Sequence, residues 1–180
     1  SAAAARHQRG HVGFMTELEP AELPEMEKLF TGEFSLDSRM MLHVAVQRGG
    51  RIVYENDALN DIVIAKGTAF RVVRVGISAD NEEVTRFNGD GVIAATPTGS
   101  TAYSLSVGGP IVAPMCECFI IAPIAPHNLT MRPMVIPDSS VVSFRVNSRA
   151  LRSSVSLDNR SFDIPCGSEF TVRKAEKPIF

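Results

Sequence analysis

Residues 89–104 read Gly-Asp-Gly-Val-Ile-Ala-Ala-Thr-Pro-Thr-Gly-Ser-Thr-Ala-Tyr-Ser, and the rest of the fold is arranged around this stretch. The Gly-Asp-Gly start is typical of a turn, and the apolar residues 92–95 predict a short strand. Because a residue before proline disfavours the helical conformation, Pro97 predicts that Thr96 is not helical. The chain should therefore bend sharply after Ala95, just before a run of small and hydroxyl-bearing residues.

A short helix is expected over residues 100–107, since Thr98, Ser100 and Thr101 are natural N-cap residues and the Gly-Gly-Pro at 108–110 would end it. A helix start beside several hydroxyl groups offers backbone donors to an anionic or hydroxyl-rich ligand. A capped helix that binds nothing explains the same residues. The sequence physics leaves both interpretations open.

Asn60 and Asp61 interrupt residues 57–65, which otherwise predict a buried strand rich in Leu, Ile and Val. Adjacent residues of a strand point to opposite faces, so one of the two could meet core or ligand while the other meets solvent. A buried polar group without a partner costs about 1–3 kcal/mol, so a partner is expected. An internal hydrogen bond and a bound ligand both satisfy that requirement.

The remaining pattern predicts a mainly β fold, sandwich-like, with many short strands and one or two short helices. A helix is expected over 22–30, ending near Gly32, with a packing role. Hairpin turns are expected at 48–51 and 79–81. The predicted strands cover 41–46, 52–54, 57–65, 70–78, 83–87, 117–124, 141–146, 151–157 and 169–174, with prolines keeping the chain after 124 extended.

Composition narrows the function classes. The 180 residues are 44% hydrophobic with a formal net charge of −2, which suits one folded domain and gives no electrostatic surface for nucleic acid. The longest apolar stretch, 118–125, is too short to cross a membrane, and residues 1–9 lack a signal-peptide core. The expectation is a cytoplasmic protein with no membrane or nucleic-acid partner.

Three cysteines, Cys116, Cys118 and Cys166, do not match the usual zinc spacings. Reduced thiols are expected, no metal site is assigned to the chain, and the sequence gives these cysteines no role.

In order and spacing, the motifs described above closely resemble those of the NAD kinases. The segments that carry the resemblance are 57–64 with Asn60-Asp61, Gly89-Asp90-Gly91, 96–104 and 108–110, followed by 124–127, Arg132-Pro133 and 156–158. The similarity runs roughly from residue 10 to 175. It implies the C-terminal domain of an enzyme that is α/β in one part and all-β in the other. We expect residues 1–17 to be a remnant of, or linker from, an N-terminal nucleotide-binding domain, and 18–180 to be the β domain.

The resemblance implies phosphoryl transfer from ATP, or from polyphosphate, to the 2′-hydroxyl of the adenosine ribose of NAD, giving NADP. It also implies Mg²⁺ with ATP and a homodimer or homotetramer. The family's key carboxylate lies in a Gly-Gly-Asp-Gly motif, which these 180 residues do not contain. No catalytic residue is therefore assigned here, and the chain alone is expected to be inactive. Asp90 matches a second, non-catalytic segment whose Asp reaches the dinucleotide, sometimes across a subunit interface.

The NAD site that the resemblance implies comprises Phe14, Asn60, Asp61, Asp90, Thr98, Thr101, Ala102, Tyr103, Ser106, Ala125 and His127. Phe14 and Tyr103 could also be core residues, and His127 could cap a turn. Arg132 is interpreted as a surface charge and Asp158 as a turn residue, although the family has a segment related to 156–159 near the phosphates. A non-catalytic NAD- or NADP-binding module is the alternative function. Lipid kinases, which share the general fold, fit less well because they are not expected to keep the motif at 98–103.

Overall fold

The computed structural model describes residues 24, 26–67, 72–147 and 152–180, and in these ranges the chain is mainly β, as predicted. In the described residues, two short helices and 3₁₀ turns accompany twelve strands. The helices are α1 (Lys28–Thr31) and α2 (Tyr103–Ser106), and the 3₁₀ segment before α2 is Thr98–Thr101. The strands are β1 (Leu42–Arg48), β2 (Arg51–Ala58), β3 (Asp61–Lys66), β4 (Val73–Ala79), β5 (Glu82–Gly89), β6 (Gly91–Ala95), β7 (Cys118–Ile124), β8 (Met134–Pro137), β9 (Val142–Asn147), β10 (Arg152–Leu157), β11 (Arg160–Pro165) and β12 (Glu169–Lys174).

The strands form two antiparallel sheets of six. The first has the order β2-β1-β12-β9-β4-β5 and the second the order β11-β10-β3-β6-β7-β8. Five pairs of consecutive strands are hydrogen-bonded to each other, namely β1–β2, β4–β5, β6–β7, β7–β8 and β10–β11. The pairs β1–β12, β4–β9 and β3–β10 join distant parts of the chain. The site described below therefore depends on long-range pairing.

The main core lies between the two sheets. Large side chains from both sheets meet there, including Leu42 and Phe144 from the first sheet and Ile62 and Phe119 from the second, all fully buried. The outer face of the second sheet is covered as well, since Ile93 and its neighbours pack against residues of the 107–112 segment. Strands β6 and β7 are consequently buried on both faces, which explains their continuous apolar sequences.

The two hairpin turns form as predicted. Gly49 and Gly50 have φ values of 58° and 75° and join β1 to β2. Asp80 and Asn81 have φ values of 51° and 68° and join β4 to β5. Positive φ at both central residues is the type I′ geometry that suits a tight hairpin, and Gly, Asn and Asp tolerate it best.

The prediction of one strand over residues 57–65 is wrong. Strand β2 ends at Ala58 in the first sheet and β3 begins at Asp61 in the second, so Leu59 and Asn60 form a bend between the sheets. The residues that flank the Asn60-Asp61 pair are apolar because Ala58, Leu59 and Ile62 are buried. The backbone groups of the bend find partners outside the strand ladders, as described below.

The prediction of a single helix over residues 100–107 is also wrong. The 3₁₀ segment ends at Thr101, and Ala102 leaves the helical conformation with φ −90° and ψ −135° before α2 begins. The stop at the glycine pair is confirmed, because Gly108 has a φ of 86° and Gly109 N–H donates to the Ser104 carbonyl at 2.9 Å. With four residues, α2 is too short to provide the helix start that the sequence suggested for ligand binding.

Other differences are smaller. Helix α1 ends at Gly32 as expected, but it buries no residue and Phe30 is 91% exposed, so the predicted packing role is not observed. Strands β8 and β11 were not predicted. Parts of the predicted elements at 22–30, 70–78 and 151–157 lie outside the described residues.

Candidate functional site

The candidate site is built on the bend that carries the chain from one sheet to the other. Thr96, which follows β6, holds the carbonyl groups of this bend. Its hydroxyl donates to the Leu59 carbonyl at 2.6 Å, and its backbone N–H donates to the Asn60 carbonyl at 2.9 Å. Thr96 is fully buried, so these hydrogen bonds are shielded from water.

Asp158 holds the N–H groups of the same bend. One carboxylate oxygen accepts from Leu59 N–H at 2.6 Å, and the other accepts from Asn60 and Asp61 N–H at 2.8 and 3.3 Å. Asp158 lies in the β10–β11 turn, where Asp158 and Asn159 have φ values of 43° and 67°. The turn predicted at Asp158 is therefore present, and the carboxylate has a further contact that the sequence did not suggest.

The 3₁₀ segment packs directly on the bend. Gly99 N–H donates to the Thr96 hydroxyl oxygen at 3.0 Å, so Thr96 supplies the cap that had been predicted at Thr98, Ser100 or Thr101, and that prediction is wrong. An added Cβ at Gly99 would collide with the Asn60 backbone. Glycine is needed here because of this close approach between two backbone segments.

An open cavity of about 370 Å³ lies beside the bend. Its wall combines the bend, the Ala102–Tyr103 junction and the β10–β11 turn. The lining residues are Asn60, Asp61, Val63, Ala102, Tyr103, Ser156, Asp158 and Asn159. The lining contains two carboxylates, several neutral polar groups and no lysine, arginine or histidine.

Several polar groups of the lining are available to a ligand. Within the described part of the chain, the Asn60 carboxamide and the hydroxyls of Tyr103 and Ser156 have no hydrogen-bond partner. Tyr103 is 45% exposed, so the alternative that it is a core residue does not hold. These groups can donate to or accept from a hydroxyl-rich or heteroaromatic molecule.

Asp61 is the one group of the lining with a strongly perturbed titration. Burial and then the negative charge of Asp158 raise the pKa of its carboxyl from 3.8 to about 6, while the Tyr103 backbone N–H that donates to it lowers the pKa. The carboxyl is therefore near half-protonated around pH 6. Perturbed carboxyls in clefts are typical of functional sites, although structural networks also produce them.

We expect this pKa to make the protein less stable as the pH rises. A carboxyl whose folded pKa exceeds its unfolded pKa binds its proton more tightly in the folded state, so its contribution to stability falls between pH 4 and pH 7. Asp61→Asn should remove the effect. Relative to the variant, the wild type should lose about 1 kcal/mol of unfolding free energy between pH 5 and pH 7.5. Urea unfolding of both proteins at the two pH values measures it, and a difference that does not change with pH would contradict it.

Of the residues predicted for the site, the cavity brings together Asn60, Asp61, Ala102 and Tyr103. Thr98, Thr101 and Ser106 lie in the adjoining 3₁₀ segment and α2 but do not line the cavity. Phe14 lies outside the described residues.

Asp90, Ala125 and His127 lie at the other end of the second sheet. In β6, Ala95 pairs with Asp61 at the cavity end, whereas Gly91 pairs with Ile124 at the far end, about 13 Å away at 3.3 Å per residue. There the Asp90 carboxylate pairs with Lys66 at 2.7 Å. Within one chain these three residues thus form a separate group.

Sequence reasoning did not assign Val63, Ser156, Asp158 or Asn159 to the site. The signal for two of them was present, because Ser156-Leu157-Asp158 is among the motifs that carry the resemblance. Arg132 donates to the carbonyls of Leu129 and Met131, both at 2.7 Å, and so belongs to its own loop.

The described residues contain neither a cluster of metal ligands nor a helix that could span a membrane. In the ranges that the structure describes, no group of three or more His, Cys, Asp or Glu side chains could hold a metal ion. No described helix has the length and apolar character that crossing a membrane requires. The three cysteines are free thiols, and burial raises the pKa of Cys118.

These features define a two-sheet β domain with a polar cavity where the chain passes between its sheets. The chain belongs to the NAD kinase family, since the family model described as ATP-NAD kinase C-terminal domain matches residues 59–179. It is 45% identical over 152 residues to an NAD kinase of Desulforamulus reducens, covering 84% of this chain and 53% of that protein. It is 37% identical over 170 residues to an NAD kinase of Geotalea daltonii, covering 93% and 60%. The chain thus spans between half and two thirds of these relatives.

Solved structures agree with this assignment. The fold matches a yeast NADH kinase complexed with NADH with a TM-score of 0.85 and 29% identity, over 95% of this chain and 50% of that one. It also matches an NAD kinase from Archaeoglobus fulgidus in complex with ATP with a TM-score of 0.75 and 28% identity, over 94% and 64%.

Proposed function

We propose that this chain is the dinucleotide-binding domain of an enzyme that transfers the γ-phosphoryl group of ATP to the 2′-hydroxyl of the adenosine ribose of NAD, giving NADP. The observation that carries the proposal is the cavity at the Asn60–Asp61 bend, because the family's Asn-Asp pair meets Ala102 and Tyr103 of its Thr-Ala-Tyr segment there. A relative with the same fold is complexed with NADH, which supports a dinucleotide as the ligand.

The chemistry of the lining favours an uncharged part of the dinucleotide. Two carboxylates, with no cationic side chain among the described lining residues, repel phosphate, whereas they accept hydrogen bonds from ribose hydroxyls or an amino group. The exposed Tyr103 ring offers an apolar face for a base. We therefore place a base and its ribose in the cavity, with the diphosphate outside it and nearer to Thr101 and Ser106.

The carboxylate that acts on the 2′-hydroxyl is expected outside these residues, because they lack Gly-Gly-Asp-Gly. Mg²⁺ would be bound with ATP in the parent enzyme. The described residues offer no cluster of three ligands for it, so no step is assigned to the ion here. By family resemblance we propose that Phe14, Asp90, Ala125 and His127 also contact the dinucleotide. Asp90, Ala125 and His127 would do so in the cavity of a neighbouring copy in a homodimer or homotetramer.

Tyr103→Ala should weaken NAD binding at least tenfold, because it removes both the ring and the hydroxyl from the cavity wall. Calorimetric titration of the purified chain with NAD and NADP measures the change. Leu105→Ala is the matched control. Leu105 lies on the same short helix but does not line the cavity, so the variant should bind NAD within twofold of the wild type. No binding of either dinucleotide at millimolar concentration would rule out the proposed site.

The second candidate function is a non-catalytic NAD(P)-binding module, which the absence of Gly-Gly-Asp-Gly favours. A turnover assay distinguishes it from the kinase domain. The chain with ATP, Mg²⁺ and NAD should form no NADP. A fusion to a first domain that bears Gly-Gly-Asp-Gly from another NAD kinase should restore formation of NADP. A folded fusion that binds NAD but has no turnover would favour the binding module. Turnover by the chain alone would show that the motif is not required.

A further inference from the structure

Three consecutive backbone N–H groups point at one carboxylate beside the cavity. The donors are Leu59, Asn60 and Asp61, and the acceptor is Asp158, nearly one hundred residues away in the sequence. In addition, Asp158 N–H donates to the Asp61 carbonyl at 3.2 Å. Successive N–H groups around one anion form a concave binding site, which the protein here fills with its own side chain.

From these contacts we infer that Asp158 is a positioning residue of the dinucleotide site: it fixes the bend so that the side chains of Asn60 and Asp61 face the cavity. The inference rests on the function proposed above and adds a residue that was assigned only to a turn.

The bend needs this carboxylate because its N–H groups leave the β2 ladder at Ala58. Thr96 occupies the carbonyl side of the bend, and Asp158 occupies the N–H side. These hydrogen bonds on both sides of the bend fix the backbone conformation of Asn60 and Asp61. Without Asp158 the three donors would have to find water or move, and the two side chains would move with them.

The structure contains a close comparison for this turn. Asp80-Asn81 in the first sheet has the same residues and nearly the same φ values as Asp158-Asn159, yet the Asp80 carboxylate accepts from Val141 N–H, far from the cavity. The turn conformation alone therefore requires no contact with the bend. The set of three N–H donors distinguishes Asp158 from Asp80.

The two turns provide matched variants. Asp158→Asn replaces one accepting oxygen by an NH₂ group, which cannot accept from the bend, and should weaken NAD binding at least tenfold. Asp80→Asn makes the same chemical change in the same type of turn and should leave affinity within twofold. Calorimetry with NAD on the complete chain measures both, and circular dichroism establishes that both variants are folded.

A second readout is the titration of Asp61, which reports whether the Asp158 charge lies beside the Asp61 carboxyl. Among the described residues Asp61 is faced by Asp158 from the β10–β11 turn and by Tyr103 from α2, while Ala95 is its partner in β6. Removing the Asp158 charge should shift the Asp61 midpoint, followed by its carboxyl ¹³C resonance, to lower pH. Asp80→Asn should not move it.

The outcomes separate the two proposals. If the wild type does not bind NAD, the proposed function fails, while the Asp61 titration still tests the positioning role. If the wild type binds and Asp158→Asn binds within twofold of it, or if both turn variants weaken binding equally, the positioning role is overturned. Should Asp158→Asn not fold, hydrogen exchange in the wild type decides. The amides of Leu59, Asn60 and Asp61 should exchange at least 100-fold more slowly than in an unfolded chain, and free exchange would overturn the inference.

Discussion

Gly99→Ala should lower the free energy of unfolding by about 3 kcal/mol, at the upper end of the range for overpacking a tight site. The added Cβ would lie 2.5 Å from the Asn60 carbonyl carbon and 2.8 Å from its Cα, and closer still to the Asn60 oxygen. All three atoms belong to backbone that is hydrogen-bonded on both sides, so no flexible side chain can move away. Either the 3₁₀ segment or the bend must shift.

Gly76→Ala is the control for this variant. A Cβ at Gly76 in β4 would meet its nearest neighbours at 3.9 Å, which is ordinary van der Waals contact. Its effect on the unfolding free energy should be under about 1 kcal/mol, because alanine suits a strand at least as well as glycine. Urea denaturation of both variants measures the difference. Equal stabilities would mean that the bend adapts more easily than its hydrogen bonds indicate.

The parts of the fold that could be predicted are those decided by neighbouring residues. Gly49-Gly50 and Asp80-Asn81 each carry the positive φ preference that a tight hairpin needs, so the turns and the strands beside them follow from short stretches. The stop at Gly108 is of the same kind. Local signals of this sort also gave the fold class.

The bend at Leu59-Asn60 could not be predicted, because the polar pair Asn60-Asp61 does not by itself indicate a change of sheet. Ala58 and Leu59 before the polar pair and residues 62–64 after it are apolar, as they would be in one buried strand, and the change of sheet depends on Thr96 and Asp158. These residues lie 37 and about 98 positions away from it, respectively. A break that is stabilised by distant hydrogen bonds leaves no periodicity to read.

The residues that line the cavity were predicted only in part, because some of the contacts that build it also join distant parts of the chain. Family resemblance supplied Asn60, Asp61 and Tyr103, whose side chains face the cavity. For Asp158 the local signal correctly predicted an Asp-Asn turn. The turn needs no further contact, so the signal gave no indication that the carboxylate accepts hydrogen bonds from the bend. A polar residue that is already explained by its turn conformation can still make a side-chain hydrogen bond that positions a binding site.

Thr96→Val should cost about 2–6 kcal/mol of unfolding free energy, because it leaves two buried backbone groups without a partner at about 1–3 kcal/mol each. The Leu59 carbonyl would lose its donor and the Gly99 N–H its acceptor, while valine has nearly the same shape as threonine. Since Thr96 is fully buried, water cannot replace the hydroxyl. The variant removes the two hydrogen bonds of the Thr96 hydroxyl without opening a cavity, and urea denaturation measures the loss.

Thr85→Val makes the same replacement where little depends on the hydroxyl. Thr85 in β5 is only half-buried and contacts the Met131 sulfur at 3.7 Å, a weak acceptor, so its effect should stay within about 0.5 kcal/mol. If Thr96→Val is as mild as this control, the carbonyl side of the bend is not what holds it. Asp158 would then be left as its principal anchor. If Thr96→Val is costly and the folded variant also binds NAD weakly, stability and ligand recognition depend on the same few backbone hydrogen bonds.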